Sequence, residues 1–175
     1  MKVVALGNDN AGDDGAALLA AKQVAANTVA ASVKSSNPPT ENTPSKSRIS
    51  VKPEFVFAGR VGTELLDIFD STEPIILLDV VTGSGPPGHI LRLGFDELIN
   101  YVAPGRQVSS HGFGPAEVLQ LGQALGRSLP GGCFIGIEGH HFGPGRALSA
   151  AVNAAMGAFV ETIQTAINEF YESYP

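Results

Sequence analysis

The stretch KVVALGNDNAGDDGAALLAAKQVAAN (residues 2–27) decides the fold. After Lys2, residues Val3 to Leu6 run apolar without a break and stop at Gly7, as a buried strand does. From Asp13 or Asp14 a helix begins, with Ala17, Leu18, Ala21, Val24 and Ala25 at helical spacing. Either aspartate can cap that helix, leaving the other to turn inward. Strand, glycine-rich turn and helix in one short stretch open a parallel α/β unit. A turn of this kind often cradles phosphate, but here it carries Asp9, Asp13 and Asp14, which repel an anion. No Lys-Ser/Thr follows the glycines, and no G-x-G-x-x-G fingerprint is present.

The same alternation continues along the chain. EFVFAG (54–59) reads as a second strand, followed by a short helix from Gly62 or Thr63 with Leu65, Leu66 and Phe69 as its apolar face. PIILLDVV (74–81) reads as a central strand, apolar on both faces from Ile75 to Leu78. HILRL (89–93) follows too soon for a crossover helix, so it should run antiparallel to its predecessor, on or near an edge. Pro115 starts another helix with Val118, Leu121, Gly122 and Leu125 on one face, ended by Gly126. CFIGIE (133–138) is the last strand. Ser149 caps a final helix whose stripe is Val152, Met156, Phe159, Val160, Ile163, Ile167 and Phe170. The order implies an α/β fold: a three-layer α/β/α sandwich with a mostly parallel mixed sheet of about five strands and helices on both faces. Residues 32–53 are rich in Ser, Asn, Pro and Lys without apolar periodicity, and read as a flexible loop inserted in a single domain spanning 1–175.

Composition narrows the function. The 175 residues carry a formal net charge of −6 with no Lys/Arg cluster, which argues against a nucleic-acid partner. No apolar run approaches the roughly 20 residues of a membrane helix. Cys133 is the only cysteine, so no internal disulfide forms and a reducing cytoplasm is expected. Cys133 begins a strand and reads as core.

Sites in such sheets form beyond the carboxyl ends of the strands. Gly7 to Asp14, Asp79 and the loop after Glu138 should all lie there, and His111, in SSHGFGP, can join them. Asp79 ends an otherwise apolar strand, where a carboxylate needs a hydrogen bond, a partner charge or a cation. Its plain reading is a carboxylate bonded to the backbone of a neighbouring loop. Asp14's plain reading is a cap, and His111's a surface residue. Together, two carboxylates and an imidazole suit a divalent ion such as zinc, nickel or manganese and leave positions for an outside group. Glu138, His140 and His141 could form a second cluster, although adjacent histidines usually point apart. The segment is read as a loop over the same edge, with His140 contacting substrate.

These motifs resemble, in order and along nearly the whole chain, the hydrogenase maturation endopeptidases. VVALGNDNAGDDG is similar to the family's first motif, GRVGTELLDIF to its glycine-rich turn and second helix, and IILLDVVTGSGPPG to its Asp-ended strand and loop. SSHGFGPAEVLQLGQALG resembles the His-bearing loop and third helix, and IGIEGHHFGPGRALSAAV the last strand and helix. The resemblance implies that Asp14, Asp79 and His111 are the catalytic and metal-binding set, with Asp13 left as the cap. It implies an aspartic-type endopeptidase that removes the C-terminal extension of a nickel-iron hydrogenase large-subunit precursor. Nickel would arrive with that substrate, other divalent metals could substitute, and the protease would act as a monomer. A rival is a metal- or precursor-binding maturation factor that does not cut. A second is another hydrolase of the same architecture with its own metal. Where many relatives have an Asp-Gly-Gly-Thr-like stretch that helps select substrate, this chain has Phe57, Ala58, Gly59 and Arg60. That places Gly59 and Arg60 with His140 as substrate-recognition residues.

Overall fold

The computed structural model describes residues 1–34, 52–59, 62–69, 73–101 and 114–173. The strands are β1 (Lys2–Leu6), β2 (Glu54–Gly59), β3 (Ile75–Val81), β4 (Ile90–Gly94) and β5 (Gly132–Glu138). The α-helices are α1 (Ala16–Lys34), α2 (Leu65–Phe69), α3 (Phe95–Asn100), α4 (Pro115–Ala124) and α5 (Ala150–Ser173), and a 3-10 turn (Asp13–Gly15) leads into α1. The sheet order is β2-β1-β3-β5-β4, with only β4 antiparallel. This is the expected mixed sheet, with one change. β4 runs opposite to β3, but it pairs with β5, which lies between them. The edge position of β4 is as read from the sequence.

The strand pattern explains the layers. Alternate residues of β1, β3 and β5 send Val3, Ala5, Ile76, Leu78, Ile135 and Ile137 to one face. There they pack against α1 and α5, including Ala17, Ala21, Val24, Phe159 and Ile163. Val4, Leu6, Ile75, Leu77 and Phe134 face the other way, onto Leu65, Leu66 and Phe69 of α2, Phe95 and Leu98 of α3 and Val118 and Leu119 of α4. The α5 stripe is as expected, with Met156 and Phe170 at its margins. Ser149 Oγ accepts the Val152 N–H at 3.3 Å, as a cap does. Cys133 lies in the core.

Three details depart from the sequence reading. Leu125 is 60% exposed, because α4 ends one residue earlier and the chain turns at Gly126 with φ +72°; Leu119 takes the buried place instead. Helix α1 runs on to Lys34, overlapping the start of the 32–53 loop, most of which lies outside the described residues. Helix α3 is not marked in the sequence, since six residues are too few to display a helical period. Among the described residues no helix is long and apolar enough to cross a membrane.

The chain leaves β1 for β2 on one side and returns to β3 on the other, so the crossovers diverge between β1 and β3. The crevice beyond the carboxyl ends of those two strands is where ligands bind in such sheets. Phe159, fully buried on α5, is central to the layer beneath it. Phe159→Ala is expected to cost about 3–5 kcal/mol of stability, read by urea denaturation.

Candidate functional site

Backbone contacts shape the turn between β1 and α1. Gly7 N–H donates to the Gly59 carbonyl at 3.0 Å, and Asn8 N–H to the Asp14 carbonyl at 3.2 Å. Gly7 has φ +119°, and a Cβ there would lie 2.0 Å from the Asp14 carbonyl oxygen. Only glycine permits this return of the chain on itself.

Asp13 is completely buried. Its Oδ2 accepts the N–H groups of His140 at 2.9 Å and His141 at 2.8 Å, and its Oδ1 accepts that of Ser149 at 2.6 Å. Burial acts to raise the carboxyl's pKa, but the N–H groups of His141, Ser149 and His140 together outweigh it and hold it below the ordinary value. Asp13 is therefore not the helix cap. The turn starts at Gly12 without any side-chain cap, and neither aspartate fills that role. Spacing in sequence could not disclose a partner so far along the chain.

Asp14 presents the opposite environment. Its Oδ2 is buried and has no hydrogen-bond partner among the described residues. Asp79 lies one residue past the last β1–β3 pair, Ala5 with Leu78, and continues the row of Ile75 and Leu77. Its Oδ1 accepts the N–H of the next residue, Val80, at 2.8 Å, not that of a neighbouring loop. Part of the residue reaches solvent, but protein packs densely round the carboxyl. That burial, with the charge of Asp14 added, pushes its pKa up to about 7 against the pull of the Val80 N–H. The two carboxylates thus sense each other at the crevice, and a buried acceptor without a donor is the kind of atom a cation satisfies.

His111 and Arg60 lie outside the described residues. Helix α4, which His111 precedes in sequence, packs on the face that Asp79 shares with Leu77. Gly59 sits at the same edge through its carbonyl's bond to Gly7. His140 is exposed on the loop after β5.

The second cluster does not form. Among the described residues no three His, Cys, Asp or Glu side chains are grouped to hold a metal. Glu138 is committed elsewhere: Oε1 accepts Gly83 N–H at 2.6 Å, and Oε2 accepts Ser84 N–H at 2.9 Å and the Ser84 hydroxyl at 2.5 Å. It staples the 82–88 connection across the end of β5, a role with no local sequence signature. The His140 and His141 rings do not point apart. Their centroids are 5.0 Å apart at a 35° tilt, because both amides converge on Asp13.

The fold and crevice define a three-layer α/β protein with a carboxylate pair at its switch point. Residues 45–166 match the profile of the hydrogenase maturation protease family. The match covers well over half of the chain, which belongs to this family of proteases. The chain also resembles the hydrogenase maturating endopeptidase HybD from E. coli, at 19% identity over 97% of this chain and 93% of that one, with a TM-score of 0.68. The NiFe hydrogenase maturation protease HybD from Thermococcus kodakarensis aligns at 22% identity over 94% and 98%, with a TM-score of 0.59. The hydrogenase 2 maturation peptidase from Thaumarchaeota archaeon SCGC_AB-539-E09 aligns at 24% over 94% and 95%, with a TM-score of 0.55. At these identities the structures establish a common fold. No curated protein matches the sequence.

The raised Asp79 carboxyl has a measurable consequence. Unfolded, it ionises near 3.8; folded, it keeps its proton up to about 7. Between those values the native state binds more protons, so stability falls as pH rises and levels off above about 7. The span corresponds to something on the order of 4 kcal/mol. Asp13 acts in the opposite sense, its contribution being lost as pH drops through its lowered pKa. Urea denaturation across pH 4–8 should find Asp79→Asn more stable than the parent at pH 8, with a flatter profile (order of magnitude as above).

Proposed function

We propose that this chain removes the C-terminal extension of a nickel-iron hydrogenase large-subunit precursor that has received its nickel. The observation that carries the reading is the Asp14 Oδ2, buried without a partner among the described residues, beside Asp79, whose carboxyl pKa is raised to about 7. An arrangement that is unfavourable alone becomes favourable when a cation enters. Membership of the family supplies the reaction class, and the charge pattern supplies the reason for a cationic substrate.

In this reading Asp14, Asp79 and His111 contact the nickel carried by the precursor, and other divalent ions can take its place. Nickel is part of the substrate, and its arrival selects the loaded precursor. A cation lifts the repulsion between the two carboxylates, so Asp79 gives up its proton on engagement. A carboxylate oxygen left free beside the metal takes the proton of the attacking water and returns it to the leaving amine. This is acid–base hydrolysis by an aspartate pair, in keeping with an aspartic-type endopeptidase. Gly59, Arg60 and His140 meet the polypeptide on either side of the scissile bond. Arg60, standing in the Phe57-Ala58-Gly59-Arg60 stretch, is suited to hold a carboxylate of the extension. The protein is inferred to work as a cytoplasmic monomer. Burial raises the Cys133 thiol pKa and keeps it unreactive.

The test is coexpression with a nickel-loaded precursor, followed by mass spectrometry of the large subunit. The parent should shorten it by a C-terminal peptide. Asp79→Asn should slow processing by about 100-fold or more while keeping its fold. A precursor that is bound but never shortened would instead identify a non-cleaving maturation factor. Cleavage of small peptides without nickel, by a protein that retains its own metal, would identify a different hydrolase.

A further inference from the structure

We infer that Asp13 is a positioning residue: its carboxylate locks the loop bearing His140 and His141 to the turn bearing Asp14, so loop and carboxylate pair keep one geometry. The inference rests on the reading of Asp14 and Asp79 as the reacting site. It begins from a deficit. Among the described residues Asp14 Oδ2 has no hydrogen bond, so no polar partner at the tip of its side chain fixes where that oxygen points. Its direction comes from packing and from the main chain, and the main chain is held on both sides. The Asp14 carbonyl accepts the Asn8 N–H. The preceding residue is clamped by its own side chain to His140, His141 and Ser149, and its N–H donates to the His141 carbonyl at 2.8 Å.

The clamp extends beyond one residue. Gly12 bridges to Phe142 and Ala11 to Arg146, and Gly145 N–H donates to the Asn10 carbonyl at 2.7 Å. Gly12, at φ +67°, brings the turn so close that a Cβ would lie 2.4 Å from the His141 carbonyl oxygen. Turn and loop therefore behave as one body, and the exposed His140, His141 and Phe142 are presented at a fixed place relative to Asp14. Both Asp13 oxygens accept from N–H groups. An amide at this position would turn an NH2 towards at least one of those donors. A buried anion that only stabilised the fold would leave the site's geometry alone, which separates the two roles experimentally.

Asp13→Asn should lower kcat on the nickel-loaded precursor by about 10–100-fold and raise KM as well, since it loosens both reacting and contacting groups. Ile163→Val, a core truncation on α5 remote from the clamp, should lower Tm by roughly 2–4 °C and leave kcat within about twofold. In amide NMR spectra Asp13→Asn should shift His140, His141 and Ser149, and also Asn8 and Val80, whose N–H groups report on Asp14 and Asp79. Shifts confined to the first three would overturn the inference. So would an Asp13→Asn enzyme with unchanged kcat. Should that variant not fold, native-state hydrogen exchange on the parent decides: all five amides should open together, and separate openings for the loop and for Val80 would refute the coupling. A parent that never processes the precursor defeats the functional reading alone, because the amide measurements still decide the coupling.

Discussion

The carboxylate of Asp13, buried and surrounded by three main-chain N–H groups, is the interaction on which the crevice depends. An ionised carboxylate without solvent is among the costliest groups a fold can contain. It persists because hydrogen bonds to a charged acceptor are worth about 1.5–3 kcal/mol each, and Asp13 has three of them. The donors come from the segment between β5 and α5, so the first and last parts of the chain meet at one side chain. Without that anion the amides of His140, His141 and Ser149 would lack their acceptor, and the glycine turn would lose its backing.

Adjacent acids in the sequence thus acquire opposite characters. Asp13 is saturated with donors and held as an anion. Asp14, one residue later, buries an oxygen that no donor among the described residues satisfies, and its charge helps to keep a proton on Asp79. Glu138 repeats the Asp13 solution at the end of β5, where it gathers the donors of Gly83 and Ser84. Two acids hold the loops in place, and two others are left with unfulfilled electrostatics where the loops meet. The division of labour follows from where donors are available, since the four groups share the same chemistry.

The parts of this arrangement that local pattern encodes were legible in the sequence. Unbroken apolar runs at Val3–Leu6 and Ile75–Leu78 identify buried parallel strands, and the α5 stripe identifies a helix against them. Asp79 stood out because a carboxylate closing such a run is physically conspicuous. What stayed hidden depends on partners distant in sequence. Asp13 and Asp14 look alike until the 140–149 segment folds over one of them. Glu138 resembles a metal ligand until Ser84 is placed against it. The insertion of β5 between β3 and β4 cannot be read from the short 82–89 connection, because hairpin proximity and a one-strand skip need similar lengths. The paired rings of His140 and His141 follow from a turn geometry that two adjacent letters do not specify.

The bond from Ser149 to Asp13 joins residues 136 positions apart. Contacts of such separation close a long loop, whose entropy must be met before the contact rewards it. While the chain is being synthesised, β1 and its acidic turn emerge well before the segment that holds them. The shape of the acidic turn is in this sense settled only once residues 140–149 have been made and have folded back onto Asp13.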